Sequence, residues 1–93
     1  MGAYGADLWA LTVKFSKKAE KAYNKLPNEV RRRIDVKLDY LSLTPRGSDT
    51  KKLQGYSSAY RTRVGTYRIV FEIEDDELIV WILDVGHRGR IYS

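Results

Sequence analysis

The chain has 93 residues, enough for one hydrophobic core but not two, and its 43% apolar content is that of an ordinary globular protein. It has no cysteine and one histidine, which excludes a disulfide scaffold, a thiolate metal site and a cysteine nucleophile. The net charge of +5 favours a polyanionic partner, and no apolar run approaches the length that spans a bilayer, so the expectation is a soluble, cytoplasmic protein with no membrane partner.

In chain order, residues 1–8 hold two glycines and little pattern, and read as a flexible leader to a single domain spanning 1–93. Trp9 to Phe15 alternates, with Leu11, Val13 and Phe15 on one face, and predicts a first strand. Ser16 suits the N-cap of a helix whose inner stripe is Ala19, Ala22, Tyr23 and Leu26 and whose other face carries Lys17, Lys18, Lys21 and Lys25. Pro27 interrupts that helix and suits the first turn of the next, with Asn28 as an alternative cap. The second helix runs to about Leu43, with Val30, Ile34, Leu38 and Leu41 inward and Arg31, Arg32 and Arg33 largely outward. The charged helix faces are read mainly as solvated surface.

Thr44 to Ser48 is a loop, and Lys51 to Gly55 is a basic segment leading into three strand-like runs. In the first run Tyr60, Thr62 and Val64 alternate with Arg61 and Arg63, so both arginines leave by one face. Gly65-Thr66 is a hairpin signal. In the second run Tyr67, Ile69, Phe71 and Ile73 take one face and Arg68, Val70 and Glu72 the other. Leu78 to Val85 is apolar on both faces and reads as a central strand, begun after the Asp75-Asp76 turn and ended by Gly86. The expected fold is α+β: an N-terminal strand, a two-helix hairpin and a three-stranded antiparallel meander, forming one sheet with the helices on one side.

Between Arg46 and Val70 stand six basic residues (Arg46, Lys51, Lys52, Arg61, Arg63, Arg68) and one acid, Asp49. Tight turns between antiparallel neighbours are expected to bring Arg61, Arg63, Arg68 and the tail from His87 to Tyr92 within reach of one another. Each residue also has a plain structural reading: Arg68 as a cross-strand partner of Glu72 or Asp84, Tyr92 as a packing residue, His87 as a surface histidine. With one histidine and with most of the later acids grouped at a turn, the sequence shows no metal-ligand spacing, and no metal or cofactor is expected.

Three pieces in order, Lys-Lys-Leu-Gln-Gly, Tyr-Arg-Thr-Arg-Val-Gly-Thr-Tyr-Arg-Ile-Val-Phe and Val-Gly-His-Arg-Gly-Arg-Ile-Tyr, resemble the RelE/ParE superfamily of toxins, over about Leu11 to Tyr92 and closest to the RelE branch. The resemblance implies a ribosome-dependent endoribonuclease that cuts mRNA in the A site, contacts 16S rRNA and is held inactive by a cognate antitoxin. It implies that Arg61 and Arg63, with Lys51 and Lys52, grip RNA, and that Arg68, Arg88, Tyr92 and His87 are catalytic. Metal-free cleavage by the RNA's own 2′-hydroxyl needs a base, an acid and cations around the pentacovalent phosphate. Guanidinium groups suit the last of these roles, and a tyrosine lowered by arginines or a histidine suits the first two. With Ser93 the last residue after Tyr92, a C-terminal helix like that of longer relatives is not expected. The alternatives are a ParE-like poison of DNA gyrase and a non-catalytic RNA-binding module.

Overall fold

The computed structural model describes residues 10–52 and 59–87, so the leader expected over 1–8 lies outside the described residues. The elements are β1 (Thr12–Phe15), α1 (Lys17–Asn24), α2 (Asn28–Leu43), β2 (Lys51–Lys52), β3 (Ala59–Val64), β4 (Tyr67–Glu74) and β5 (Ile79–His87). They form one five-stranded sheet in the order β1-β5-β4-β3-β2, with β1 parallel to β5 and the other pairs antiparallel. This is the α+β architecture expected from the sequence, with one strand more, because Lys51 and Lys52 pair with Arg61 and Tyr60 at the sheet edge.

The helices cover one face. Ala19 of α1 and Ile34, Leu38 and Leu41 of α2 pack with Val64, Ile69, Phe71, Val80, Ile82 and Val85 of the sheet in a single core. Leu26 joins it from the turn beyond α1, since the helix stops at Asn24, short of the stripe read from the sequence. Pro27 stands at the N-cap of α2 without a side-chain cap bond. Outside this core, α2 also carries Val36, Tyr40 and Leu43 on an exposed stripe.

Ser16 joins three elements. Its Oγ accepts from the Ala19 amide (3.1 Å) as the N-cap of α1, its amide donates to the Ile82 carbonyl (2.9 Å), and its hydroxyl donates to the Leu83 carbonyl (3.1 Å). At this point β5 is bulged. Val70 lies opposite Asp84 while Phe71 lies opposite Ile82, so Leu83 is an extra residue. The bulge shifts the alternation, taking Val80 and Ile82 and then Val85 to the helix side.

Two strand limits differ from the sequence reading. Leu78 takes a positive φ of 56° in the turn, so β5 begins at Ile79. Gly86 does not end β5, because Arg68 and Tyr67 of β4 supply partners for Gly86 and His87. At the β3–β4 turn Gly65 has φ 59°, and the Arg33 guanidinium lies where a side chain at position 65 would go.

Replacing Ser16 with alanine removes a helix cap and leaves a bulge carbonyl without its donor. The expected loss is about 1–2 kcal/mol, read as a lower urea midpoint with unchanged slope.

Candidate nucleic-acid interface

The sheet face turned away from the helices is where the predicted cations meet. Ala59, Arg61 and Arg63 of β3 lie opposite Glu72, Val70 and Arg68 of β4, and Lys51 of the edge strand lies opposite Arg61. Two like-charged pairs, Lys51 with Arg61 and Arg63 with Arg68, therefore sit side by side on one surface. Such juxtapositions destabilise a sheet. On its other side Arg68 lies opposite Gly86, and a Cβ at that glycine would meet nothing within 4 Å. Lys51 and Arg63 are exposed, Arg61 and Arg68 are half-buried, and the Nε of Arg68 is buried. A recess of about 280 Å³ lies among Asp49, Lys51, Arg61, Thr62 and Arg63.

This face is held from below. Thr62, 1% exposed, donates to the Asp49 carbonyl (3.2 Å) and fixes the loop before β2 against β3. Tyr60 stacks on buried Phe71 with ring centroids 5.8 Å apart. Lys52 lies opposite Tyr60 in the register, out of step with the arginines. Arg46, one of the six cations counted in the sequence, serves the fold instead. Its Nη1 and Nη2 donate to both Asp75 oxygens (3.0 and 2.9 Å) and its Nε donates to the Tyr60 hydroxyl (3.4 Å). These bonds, the one to Asp75 first, raise the arginine's pKa, and Arg46 in turn holds the Asp75 carboxyl below its ordinary range.

His87 stands apart from the arginines. It pairs with Tyr67, its ring packs on Tyr67 at 4.7 Å between centroids, and Tyr67 packs on the helix-side core. The bulge at Leu83 is the reason: strict alternation from Trp81 would carry His87 to the arginine face, and the extra residue moves it to the other. Arg88 and Tyr92 lie outside the described residues. Among the described residues, no three His, Asp or Glu side chains converge as a metal site. That Gly86 lies opposite Arg68 was not legible in the sequence, because register is set by the meeting of two strands. What the assembled cations can do is bind a phosphodiester bidentately and offset charge that develops on it.

The model of the ParE toxin of the type II toxin-antitoxin system parDE matches residues 13–92. The chain belongs to this family of toxins. Within it the chain is 36% identical to a RelE toxin of Methanocaldococcus jannaschii, over 89% of this chain and 97% of that one, and 31% identical to the mRNA interferase toxin RelE of Escherichia coli, over 85% and 86%. The structure is similar to the isolated E. coli RelE toxin, with a TM-score of 0.76 at 30% identity, covering 90% of this chain and 93% of that one. It is also similar to the RelE-RelB complex of Pyrococcus horikoshii, with a TM-score of 0.74 at 31% identity, covering 87% and 98%. The chain is thus a RelE-family toxin of a type II toxin-antitoxin system.

Two outcomes follow for this toxin. Arg63→Gln relieves the repulsion with Arg68, so stability rises by roughly 0.2–1 kcal/mol in low salt, and the gain shrinks in 1 M salt; paired urea titrations measure both. Asp75 titrates lower in the folded state than in the unfolded one, so its contribution is complete above its unfolded pKa of about 3.9 and is lost as pH falls through the folded value. Arg46→Met removes that dependence, and its acid unfolding curve lies flatter than wild type below about pH 4.

Proposed function

We propose that this toxin is a metal-independent endoribonuclease that cleaves mRNA in the ribosomal A site. The observation that carries the reading is the pair of like-charged cross-strand contacts, Lys51 with Arg61 and Arg63 with Arg68, gathered on one face of the sheet. A sheet that sets repelling cations side by side is suited to an anion that bridges them. In this reading Arg61, Arg63 and Lys51 hold the RNA backbone, with Lys52 at the rim, and Arg68 meets the phosphate that is attacked.

The reaction is a displacement at phosphorus. The 2′-hydroxyl loses its proton to a base and attacks the adjacent phosphate, and the 5′-oxygen of the next nucleotide leaves with a proton from an acid. The products are a 2′,3′-cyclic phosphate and a 5′-hydroxyl. Arg68 and Arg88 offset the charge on the pentacovalent phosphate, as fixed guanidinium groups do without reorganising. We assign the base to Tyr92, since a phenol is made more acidic wherever cations stand close to it. The modest set of acids and bases makes the ribosome a partner in the chemistry, with 16S rRNA orienting the message. A cognate antitoxin is the expected inhibitor, supported by relatives that crystallise as RelE-RelB complexes.

The second reading is a ParE-like poison of DNA gyrase, and the parDE description of the matching family model favours it. One experiment separates the two. Primer extension on a defined message in a reconstituted translating system should show new 5′ ends at A-site codons, with the rate falling roughly 10²- to 10³-fold in Arg68→Ala and roughly 10²- to 10⁴-fold in Tyr92→Phe. Intact message with folded wild-type protein, together with gyrase-dependent DNA breaks in expressing cells, would reject the nuclease in favour of the poison.

A further inference from the structure

On the helix side of the sheet, a groove of about 500 Å³ runs between α1 and the end of β5. Lys18, Lys21 and Lys25 line one wall, at the spacing that puts them on one helix face and spreads them over about 10 Å. Tyr67 and His87, ring against ring, line the other, together with Gly86. Lys18 is paired with Asp84 at 3.2 Å, whereas Lys21 and Lys25 make no ion pair among the described residues. His87 is exposed, so its ring is open to a further stacking partner.

A row of cations facing an exposed ring suits single-stranded nucleic acid, whose phosphates follow the charge while a base stacks on that ring. A groove floored by helix and strand side chains is also more specific than the freely solvated lysine face expected from the sequence. Gly86 belongs to both surfaces, being opposite Arg68 in the sheet and part of this groove.

We propose that the α1–β5 groove is a second binding site for single-stranded RNA, in which Lys21 and Lys25 contact phosphates and His87 stacks on a base. The inference rests on the ribonuclease reading for its ligand and assigns His87 to binding instead of proton transfer. The strand is either message leaving the arginine face or an exposed segment of ribosomal RNA.

The test measures binding, not cleavage. A labelled 2′-O-methyl oligonucleotide, which lacks the attacking hydroxyl, and message-free ribosomes are each titrated with the full chain over a range of salt. The variants are K21Q/K25Q, H87A, H87F, R61A/R63A and, as a control of equal charge loss at exposed positions outside the groove, K17Q/R32Q. For K21Q/K25Q the log–log salt slope should fall by about 1.4, two phosphate contacts at about 0.7 each, with little change in the control. H87A should weaken binding by roughly 5-fold or more, and H87F should restore it, as stacking allows and proton transfer does not.

Weakening toward the oligonucleotide identifies message as the ligand, and weakening toward ribosomes alone identifies ribosomal RNA; either supports the groove. Equal slopes for K21Q/K25Q and K17Q/R32Q on both ligands would overturn it. If R61A/R63A binds both ligands as wild type does while K21Q/K25Q does not, the groove stands and the arginine-face reading fails.

Discussion

The constraint on which the rest depends is the junction at Ser16. A parallel strand, a helix N-terminus and a bulged strand meet within one residue, and each supplies what another lacks. The hydroxyl accepts from the first turn of α1 and donates to the Leu83 carbonyl, which the bulge has taken out of the regular ladder. Beyond this point β1 no longer flanks β5, and α1 takes its place along the strand from Asp84 to His87. Without the extra residue at Leu83, Val85 would leave the core and His87 would change faces.

The sheet then carries a load that its own energetics disfavour. Cross-strand pairs of like charge oppose folding, and here two of them adjoin. They are tolerated because the reverse face is well anchored: Ile69, Phe71, Val80 and Ile82 are fully buried beneath the helices, and Thr62 ties β3 to its neighbouring loop. Arg46, bonded to Asp75 and Tyr60, fastens the loop after α2 to the turn between β4 and β5. An exposed ion pair of this kind contributes modestly, and its value lies in fixing the geometry of two loops at once. A stable core thus supports a face on which like charges stand in register.

Members of one fold family differ in function through the side chains that the common sheet presents. In this chain the presented side chains include Lys51, Arg61, Arg63 and Arg68 beside Val70 and Glu72, with Gly86 opposite Arg68. Such a surface has little use for an apolar ligand and a strong attraction for a phosphodiester. The two basic surfaces lie on opposite faces of the sheet near the end of the β4–β5 pairing.

The sequence by itself determined the fold class, the two helices, the meander and the division of β3 into a core side and an arginine side. These follow from local periodicity, which survives whatever the neighbours do: Tyr60, Thr62 and Val64 alternate with Arg61 and Arg63 in any register. The Ser16 cap was legible for the same reason, being a contact three residues long. Only the tertiary structure decided the pairing of Lys51 with Arg61 and of Arg63 with Arg68, since register is set by strands that meet from different parts of the chain. It also decided that Arg46 is structural, because Asp75 is 29 residues away in sequence. The face that His87 takes was the least legible of all. A single bulged residue reverses the alternation of β5, and that bulge is fixed by a bond from Ser16, 67 residues earlier in the chain.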